Sequence, residues 1–470
     1  MRGFSKFGAR SLPAVGLACF LATPALAGGV YTELFNFDCA TDGCDPLSPA
    51  LLAQGEDGVL YSTLQNGTVQ SSDGTIIDYA PGGTVDVLYR FQGQPPDGLG
   101  PQSGLTLGFD GALYGATTNG GVPGKGTVFR LFNGAMTVLY QFTDGDDGAY
   151  PWAPPVQTPD GNLYGVTYNG TNPGRAYRIT PSGKFSVIAS LPSKTTAPLV
   201  MGVDGNFYGT TQYGGASNQG TVFRLSSKGK LTIIHSFDGS HEGATPIAPV
   251  MIGADGKFYG TTSGGGQFSQ GIVYRLASSG NGYQVLHNFQ VSEGTSSTAG
   301  LVQGSDNYLY SVQSAGGANG YGTMYRVNTR GTKFRVLHQF TFQDGAYPGA
   351  TPTLQTNGTI YGFATKGGGG ENGTSGVLFS YTHGLKPFIS LQLWAGPEGT
   401  QVGILGQGFS TATGVEFGGV VANYTVMSDT YMAATVPVGA QTAKVTVLEP
   451  SGDLVTLRKF KVLSGARKHS

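Results

Sequence analysis

Charge is scarce in this chain. Asp, Glu, Lys and Arg supply 12% of its 470 residues, where about 25% is usual, so stability has to come from strands and tight turns and not from charged helices. The two signs nearly cancel, with a formal net charge of −1. Residues 1–27 carry Arg2, Lys6 and Arg10 and no acid, so their removal leaves a mildly acidic protein without the basic footprint of a nucleic-acid binder. Beyond the N-terminus no apolar run approaches the roughly 18 residues that suggest a transmembrane helix. Cysteine is rare as well, with three residues, Cys19, Cys39 and Cys44, and no second cysteine or histidine pair stands near them to complete a metal set. No cofactor motif is present. Glycine is what abounds, 79 residues, more than twice the usual share of about 7%.

The first 27 residues read as a secretory signal: a basic start, a mostly apolar stretch from Leu12 to Ala22, and the small-residue site Ala25-Leu26-Ala27. Cleavage there predicts a protein that begins near Gly28 and is secreted, periplasmic or held at the cell surface. Cys19 could carry a lipid instead, but Gly16-Leu17-Ala18 fits lipoprotein processing poorly. An oxidising compartment predicts a Cys39–Cys44 disulfide. So short a loop removes little unfolded-state entropy, and its expected use is to stiffen one surface loop. A metal site or a redox pair is the alternative.

A short phrase recurs seven times, an Asp-Gly turn leading into a strand with Tyr: Asp57 to Tyr61, Asp110 to Tyr114, Asp160 to Tyr164, Asp204 to Tyr208, Asp255 to Tyr259, Asp306 to Tyr310 and Asn357 to Tyr361. Successive steps are 53, 50, 44, 51, 51 and 51 residues, matching the roughly 50-residue, four-stranded blade of kelch-like propellers. Residues 248–289 display the unit: strand a at 248–252, an Asp-Gly turn, strand b at 257–262, a glycine loop, strand c at 272–276, a Ser/Gly turn and strand d at 283–289. The last copy lacks strand d, while Val30 to Phe37 resembles the d strand Val138 to Phe142. The expectation is therefore an all-β, seven-bladed β-propeller over residues 28–384, its last blade closed by the N-terminal strand so that no sheet edge is left open.

Strands alternate in direction, so the long b-to-c and d-to-a loops share one face. Loops on a rigid scaffold are where recognition is expected. The d-to-a loops carry an acid before Gly at six of seven junctions, namely Asp42, Asp97, Asp147, Glu242, Glu293 and Asp344. The third-to-fourth junction, Leu191 to Asp204, is shorter and lacks the acid. Asp97, Asp147, Glu242, Glu293 and Asp344 with Tyr150, Trp152 and Tyr347 form the candidate ligand face, carboxylates for hydroxyls or cations and rings for sugars. The bland alternative is that each acid satisfies backbone donors in its own turn. Asp144, Asp146, His241 and Glu371 are the polar residues outside the repeat pattern that an enzyme would need. His235, His287 and His338 share a strand-d column with Tyr89 and Tyr140 and read as packing. The Arg column (Arg130, Arg178, Arg224, Arg275, Arg326) reads as structural too.

After Lys386-Pro387 the period vanishes, and residues 386–463 give short alternating strands consistent with a small Ig-like β-sandwich. Residues 464–470 are a short basic tail. The run Thr400 to Phe409, Val415 to Gly419 and Ala434 to Ala440 resembles the IPT/TIG immunoglobulin-like domain. The repeats, with Asp-Gly-Asn-Leu-Tyr-Gly165, Gly-Thr-Val-Phe-Arg-Leu225 and Asp-Gly-Ala-Tyr-Pro151, resemble the bacterial GloVer (choice-of-anchor) tandem-repeat family. That resemblance implies an exported bacterial protein and supplies no reaction. The functional expectation is a binding or interaction protein for an extracellular glycan or surface protein, with a polysaccharide hydrolase or lyase and a structural envelope component as alternatives.

Overall fold

The computed structural model describes residues 28–46, 52–67, 73–93, 97–168, 173–368 and 375–464. The signal segment, Glu371 and the basic tail from residue 465 lie outside the described residues. The fold is all-β; two single-turn 3-10 helices, Val291–Glu293 and Phe409–Thr411, are the helical elements among the described residues. Seven four-stranded antiparallel sheets follow one another in the repeat region, six of them in simple a-b-c-d order. In the seventh, Thr353–Leu354, Ile360–Ala364 and Val377–Thr382 are joined by Val30–Asn36, which pairs with Val377–Thr382 from the far end of the chain.

Strand a is shorter than the alternation predicts. It spans two residues in all seven sheets, Met251–Ile252 in the fifth. The other three strands of that sheet, Phe258–Thr262, Ile272–Leu276 and Gln284–Asn288, follow the expectation closely.

The founding phrase has a local cause. The carboxylate of the turn Asp accepts the hydroxyl of the Tyr four residues on, Tyr61 to Asp57 at 2.6 Å, Tyr114 to Asp110 at 2.8 Å, Tyr208 to Asp204 at 2.7 Å, Tyr259 to Asp255 at 2.9 Å and Tyr310 to Asp306 at 2.7 Å. Its other oxygen takes the amide two residues on, as at Asn206 and Lys257, so one side chain closes the turn and anchors the strand. Arg130 and Arg326 reach the same carboxylates at 3.0 and 3.4 Å. The Gly after the Tyr lies directly under a strand-c ring: Gly209 pairs with Phe223, whose Cζ is 2.6 Å from where a Cβ would stand. A Cβ there would require that ring to shift.

The core is a circle of seams. Separate apolar clusters join the first sheet to the second, the second to the third, and so on to the seventh. A further cluster packs Leu60 and Ile77 of the first sheet against Tyr361 and Leu378 of the seventh. Each seam buries the residue that follows strand d: Phe37, Phe91, Phe142, Leu191, Phe237, Phe289 and Phe340. All seven amides donate to the carbonyl of a glycine that precedes strand c.

Two further four-stranded sheets follow, one centred on Gln401–Leu405 and Tyr431–Thr435 and the other on Gly414–Phe417 and Val445–Leu448. They share one core containing Val402, Ile404, Phe409, Val415, Met432 and Val447. This sandwich sits on the Asp-Gly turns of the ring. Gln392 donates to Glu56 at 3.0 Å, the Thr430 hydroxyl to the Glu56 carbonyl at 2.7 Å, and Gln407 to Thr356 at 3.1 Å. Phe109 and Met201 pack against the sandwich core. These contacts come from the first, second, fourth and seventh sheets, so the sandwich covers that face across the ring. The b-to-c and d-to-a loops lie on the opposite face.

Candidate functional site

The d-to-a loops repeat a backbone device. The third residue after the acid has positive φ at all six acidic junctions: Asp45 (56°), Gly100 (66°), Tyr150 (56°), Thr245 (54°), Ser296 (59°) and Tyr347 (58°). Five of the six carry a side chain, at a cost of about 1 kcal/mol or more each. The conformation is held from both sides. For Tyr150 the amide donates to the Lys125 carbonyl and the carbonyl accepts from the Tyr168 amide, and Thr245 does the same between Gln219 and Ser263. Backbone is thus fixed while side-chain identity changes freely around the ring, which makes these positions suited to display.

The acids themselves face inward to strand d. Asp97 accepts from Tyr89 at 3.1 Å and from the Gln92 amide at 2.9 Å. Asp147 accepts from Tyr140 at 3.0 Å, from the Thr143 amide and hydroxyl at 2.8 and 2.6 Å, and from the Gly145 amide at 3.1 Å. Glu242, Glu293 and Asp344 lie 3.6, 2.9 and 3.1 Å from Nε2 of His235, His287 and His338. The histidine or tyrosine in turn stacks on the first ring of the next sheet's d strand: Tyr140 on Phe185, His235 on Tyr283, His287 on Phe334 and His338 on Tyr31, with centroids 3.8–3.9 Å apart. Burial holds all three imidazoles below their ordinary pKa, His235 at about 4. Burial and then Asp97 push the Tyr89 hydroxyl up to about 12. The five acids and the strand-d column are one repeating unit spread over five junctions, and no two of these acids bond to the same histidine or tyrosine.

The three rings predicted beside the acids do lie on the loop face. Tyr150 takes a hydrogen bond from Lys125 at 3.1 Å, and Lys125 also pairs with Asp144 at 2.7 Å. Trp152 stacks on Tyr168 at 5.2 Å and 28°. Tyr347 is 41% exposed and meets Tyr321 edge-on, and Tyr321 also contacts the exposed Phe342. The residues outside the repeat pattern do not gather: Asp144 is held by Lys125, Asp146 is exposed and offers its carbonyl to Arg175, and His241 pairs with Asp238 at another junction. Cys39 and Cys44 form a disulfide, which suggests a location outside the cytoplasm. Among the described residues no helix is long and apolar enough to cross a membrane, and no group of three or more His, Cys, Asp or Glu side chains is placed to hold a metal ion.

Sequence reasoning missed Tyr168, Lys194, Tyr213, Phe268, Val291 and Phe342. Tyr213, Phe268, Val291 and Phe342 are among the exposed large apolar residues. Their signal was present as positions where a loop departs from its repeat column.

A family profile described as the Gloeobacter/Verrucomicrobia repeat matches residues 18–202 and 194–427. The chain belongs to this repeat family. No curated protein matches it. Solved structures with a similar chain path include a fungal AA5-family alcohol oxidase in complex with copper (15% identity, 93% of this chain and 99% of that one, TM-score 0.49). A gluconolactonase of Xanthomonas campestris (13%, 72% and 87%, 0.37) and a luciferin-regenerating enzyme (12%, 77% and 98%, 0.40) are others. At those scores none of them bears on ligand or reaction for this repeat protein.

Proposed function

We propose that this repeat protein is an exported binding protein: a closed seven-bladed propeller over residues 28–384 that presents its b-to-c and d-to-a loop face to an extracellular glycan. In this reading residues 1–27 are the signal that exports it. Residues 386–463, as an IPT/TIG-like Ig domain, cover the other face and serve as spacer or docking module. The observation that carries the reading is the distribution of exposed aromatic rings. Among the described residues Tyr213, Phe268, Phe342 and Tyr347 are exposed on the loop face, with Phe132 the one exposed ring elsewhere, whereas the sandwich occupies the face of the Asp-Gly turns. Rings that lie flat at a surface bind the C–H faces of sugars and cost little conformational entropy to hold in place. The internal engagement of the acids supports the same emphasis, since the rings and not the carboxylates are left to meet a ligand.

The test is a glycan panel probed with residues 28–470 while hydrolysis and β-elimination are followed. Saturable binding with intact saccharides is the expected result. New reducing ends or unsaturated products would identify a hydrolase or a lyase instead, and an empty panel together with saccharide-independent capture of one envelope protein would favour a structural role.

A further inference from the structure

We propose that the short junction between the third and fourth sheets is a subsite for an anionic sugar residue, formed by Trp152, Tyr168, Lys194 and Tyr213; this rests on the glycan-binding reading above. Trp152 arrives from the second-to-third junction and stacks on Tyr168, which follows strand b of the third sheet, Leu163–Val166. Lys194 lies in the short junction itself, with Nζ 5.2 Å from the Tyr168 ring centroid. Its carbonyl accepts the Gln212 amide at 2.8 Å, fixing the backbone beside Tyr213, which is 45% exposed.

Two departures from the repeat coincide here. Every other junction raises an acid-bearing loop; this one has none, and Trp152 and Tyr168 both remain partly exposed. Lys194 is also unlike its neighbours in charge. Lys125 is neutralised by Asp144 and Lys366 by Asp45, whereas among the described residues no carboxylate pairs with Lys194. Arg175, nearby on the same face, donates to the Asp146 carbonyl and to Ser190 and likewise pairs with no described carboxylate. Of the neighbouring acids, Asp144 is held by Lys125, Asp147 is buried in its own loop, and Asp146 is exposed near Arg175. A platform of rings with an uncompensated ammonium at its side suits a pyranose that stacks by one face and carries a carboxylate, as a uronic acid does. An ammonium held beside a ring keeps donors free for such a carboxylate.

The chain's two tryptophans make the site directly observable. Trp394 lies in the sandwich under Arg458, so Trp394→Phe leaves Trp152 as the sole indole emitter. Titration of that protein with oligogalacturonate should change Trp152 emission saturably and bind at least about tenfold tighter than a neutral galacto-oligosaccharide of equal length at low salt, the gap shrinking as ionic strength rises. Lys194→Met should erase the gap while leaving Tm unchanged, and Tyr168→Ala should weaken both ligands by about tenfold or more. Equal binding of the two saccharides would overturn the anionic preference and leave glycan binding standing. Undiminished oligogalacturonate affinity in the Tyr168→Ala, Lys194→Met double variant would move binding elsewhere on the loop face and sink this subsite alone. Absence of binding to either saccharide, with an empty glycan panel, would remove both readings.

Discussion

The junction that follows the fifth sheet and the one that follows the third are built to the same plan inside and to different plans outside. Inside, Phe289 and Leu191 occupy the same buried position, and each donates its amide to a glycine carbonyl, Gly271 and Gly174. Outside, the fifth-sheet junction carries His287 paired with Glu293 and stacked on Phe334. At the third-sheet junction the column residue is Ala189, the next sheet offers Leu231, and the acid is gone; Ala189 and Leu231 simply join the apolar seam. All three parts of the unit disappear together. The difference teaches that the ring of seams closes without this outer unit, which is also kept only in part elsewhere: Tyr89 and Asp97 face Met136, and Asp42 follows Phe35. Where the unit is deleted, the surface is left to Lys194, Tyr168 and Trp152.

Cutting the shared interior should have the largest effect. Phe289→Ala is expected to destabilise by about 3–5 kcal/mol and Leu191→Ala by about 2–5 kcal/mol, both read from denaturant midpoints at unchanged slope. A small loss at Leu191 alone would mean that the third seam is not the equal of the fifth. The outer unit should cost less to break. Asp147→Ala strands four protein donors around a buried carboxylate and is expected to cost about 2–3 kcal/mol. An Asp147→Ala protein of undiminished stability would detach the acid from the structural unit and return it to the candidate ligand face.

How much of this could be read beforehand follows from what repeats. The period, the Asp-to-Tyr spacing of four and the d-strand likeness of Val30 to Phe37 are local regularities, so the sheets, their order and the pairing of Val30–Asn36 with Val377–Thr382 were legible. The link between the His/Tyr column and the acid was also in the sequence, six to eight residues apart at five junctions and absent together at Ala189. It was missed because the two phrases sit on different elements and were weighed separately. The contacts of Tyr168 with Trp152 and Lys194 were not legible. They bring together a b-strand end and two different junctions, and no spacing rule joins positions that the ring, and not the chain, makes neighbours.

Acid should separate the two junction types by a smaller margin. His235 has its pKa lowered to about 4, with burial the dominant cause and Asp238 opposing it. The unfolded chain takes up this proton near pH 6.5 and the folded one does not, so the contribution to stability is whole above about pH 6.5 and is lost as pH falls toward 4. Glu242, raised by burial and by Asp238, acts in the opposite sense. Tyr is the residue that the repeat already uses at this position, in Tyr89 and Tyr140. His235→Tyr should therefore flatten the fall of Tm between pH 7 and about 4.5, while Ala189→Ser, at the junction with nothing to titrate, should leave its slope unchanged. An unaltered slope in His235→Tyr would show that the imidazole is protonated in the fold at ordinary pKa.

The smallest effect probes whether the interiors really match. Tyr177 of the third sheet and Tyr274 of the fifth are both wholly buried, each over the glycine of strand b, Gly165 and Gly260, and each beside a d-strand ring, Phe185 or Tyr283. Among the described residues neither hydroxyl has a hydrogen-bond partner, and burial pushes both pKa values up. The repeat holds Phe at this position in Phe129, Phe223 and Phe379, so the ring fits without its oxygen. Removing an unsatisfied buried hydroxyl should leave stability equal or raise it by up to about 1 kcal/mol, and by the same amount in Tyr177→Phe as in Tyr274→Phe. A loss in Tyr177→Phe alone, measured by chemical denaturation, would place a bound polar group inside the seam between the second and third sheets, where Tyr177 packs with Phe142, and end its match with the seam between the fourth and fifth, where Tyr274 packs with Phe237.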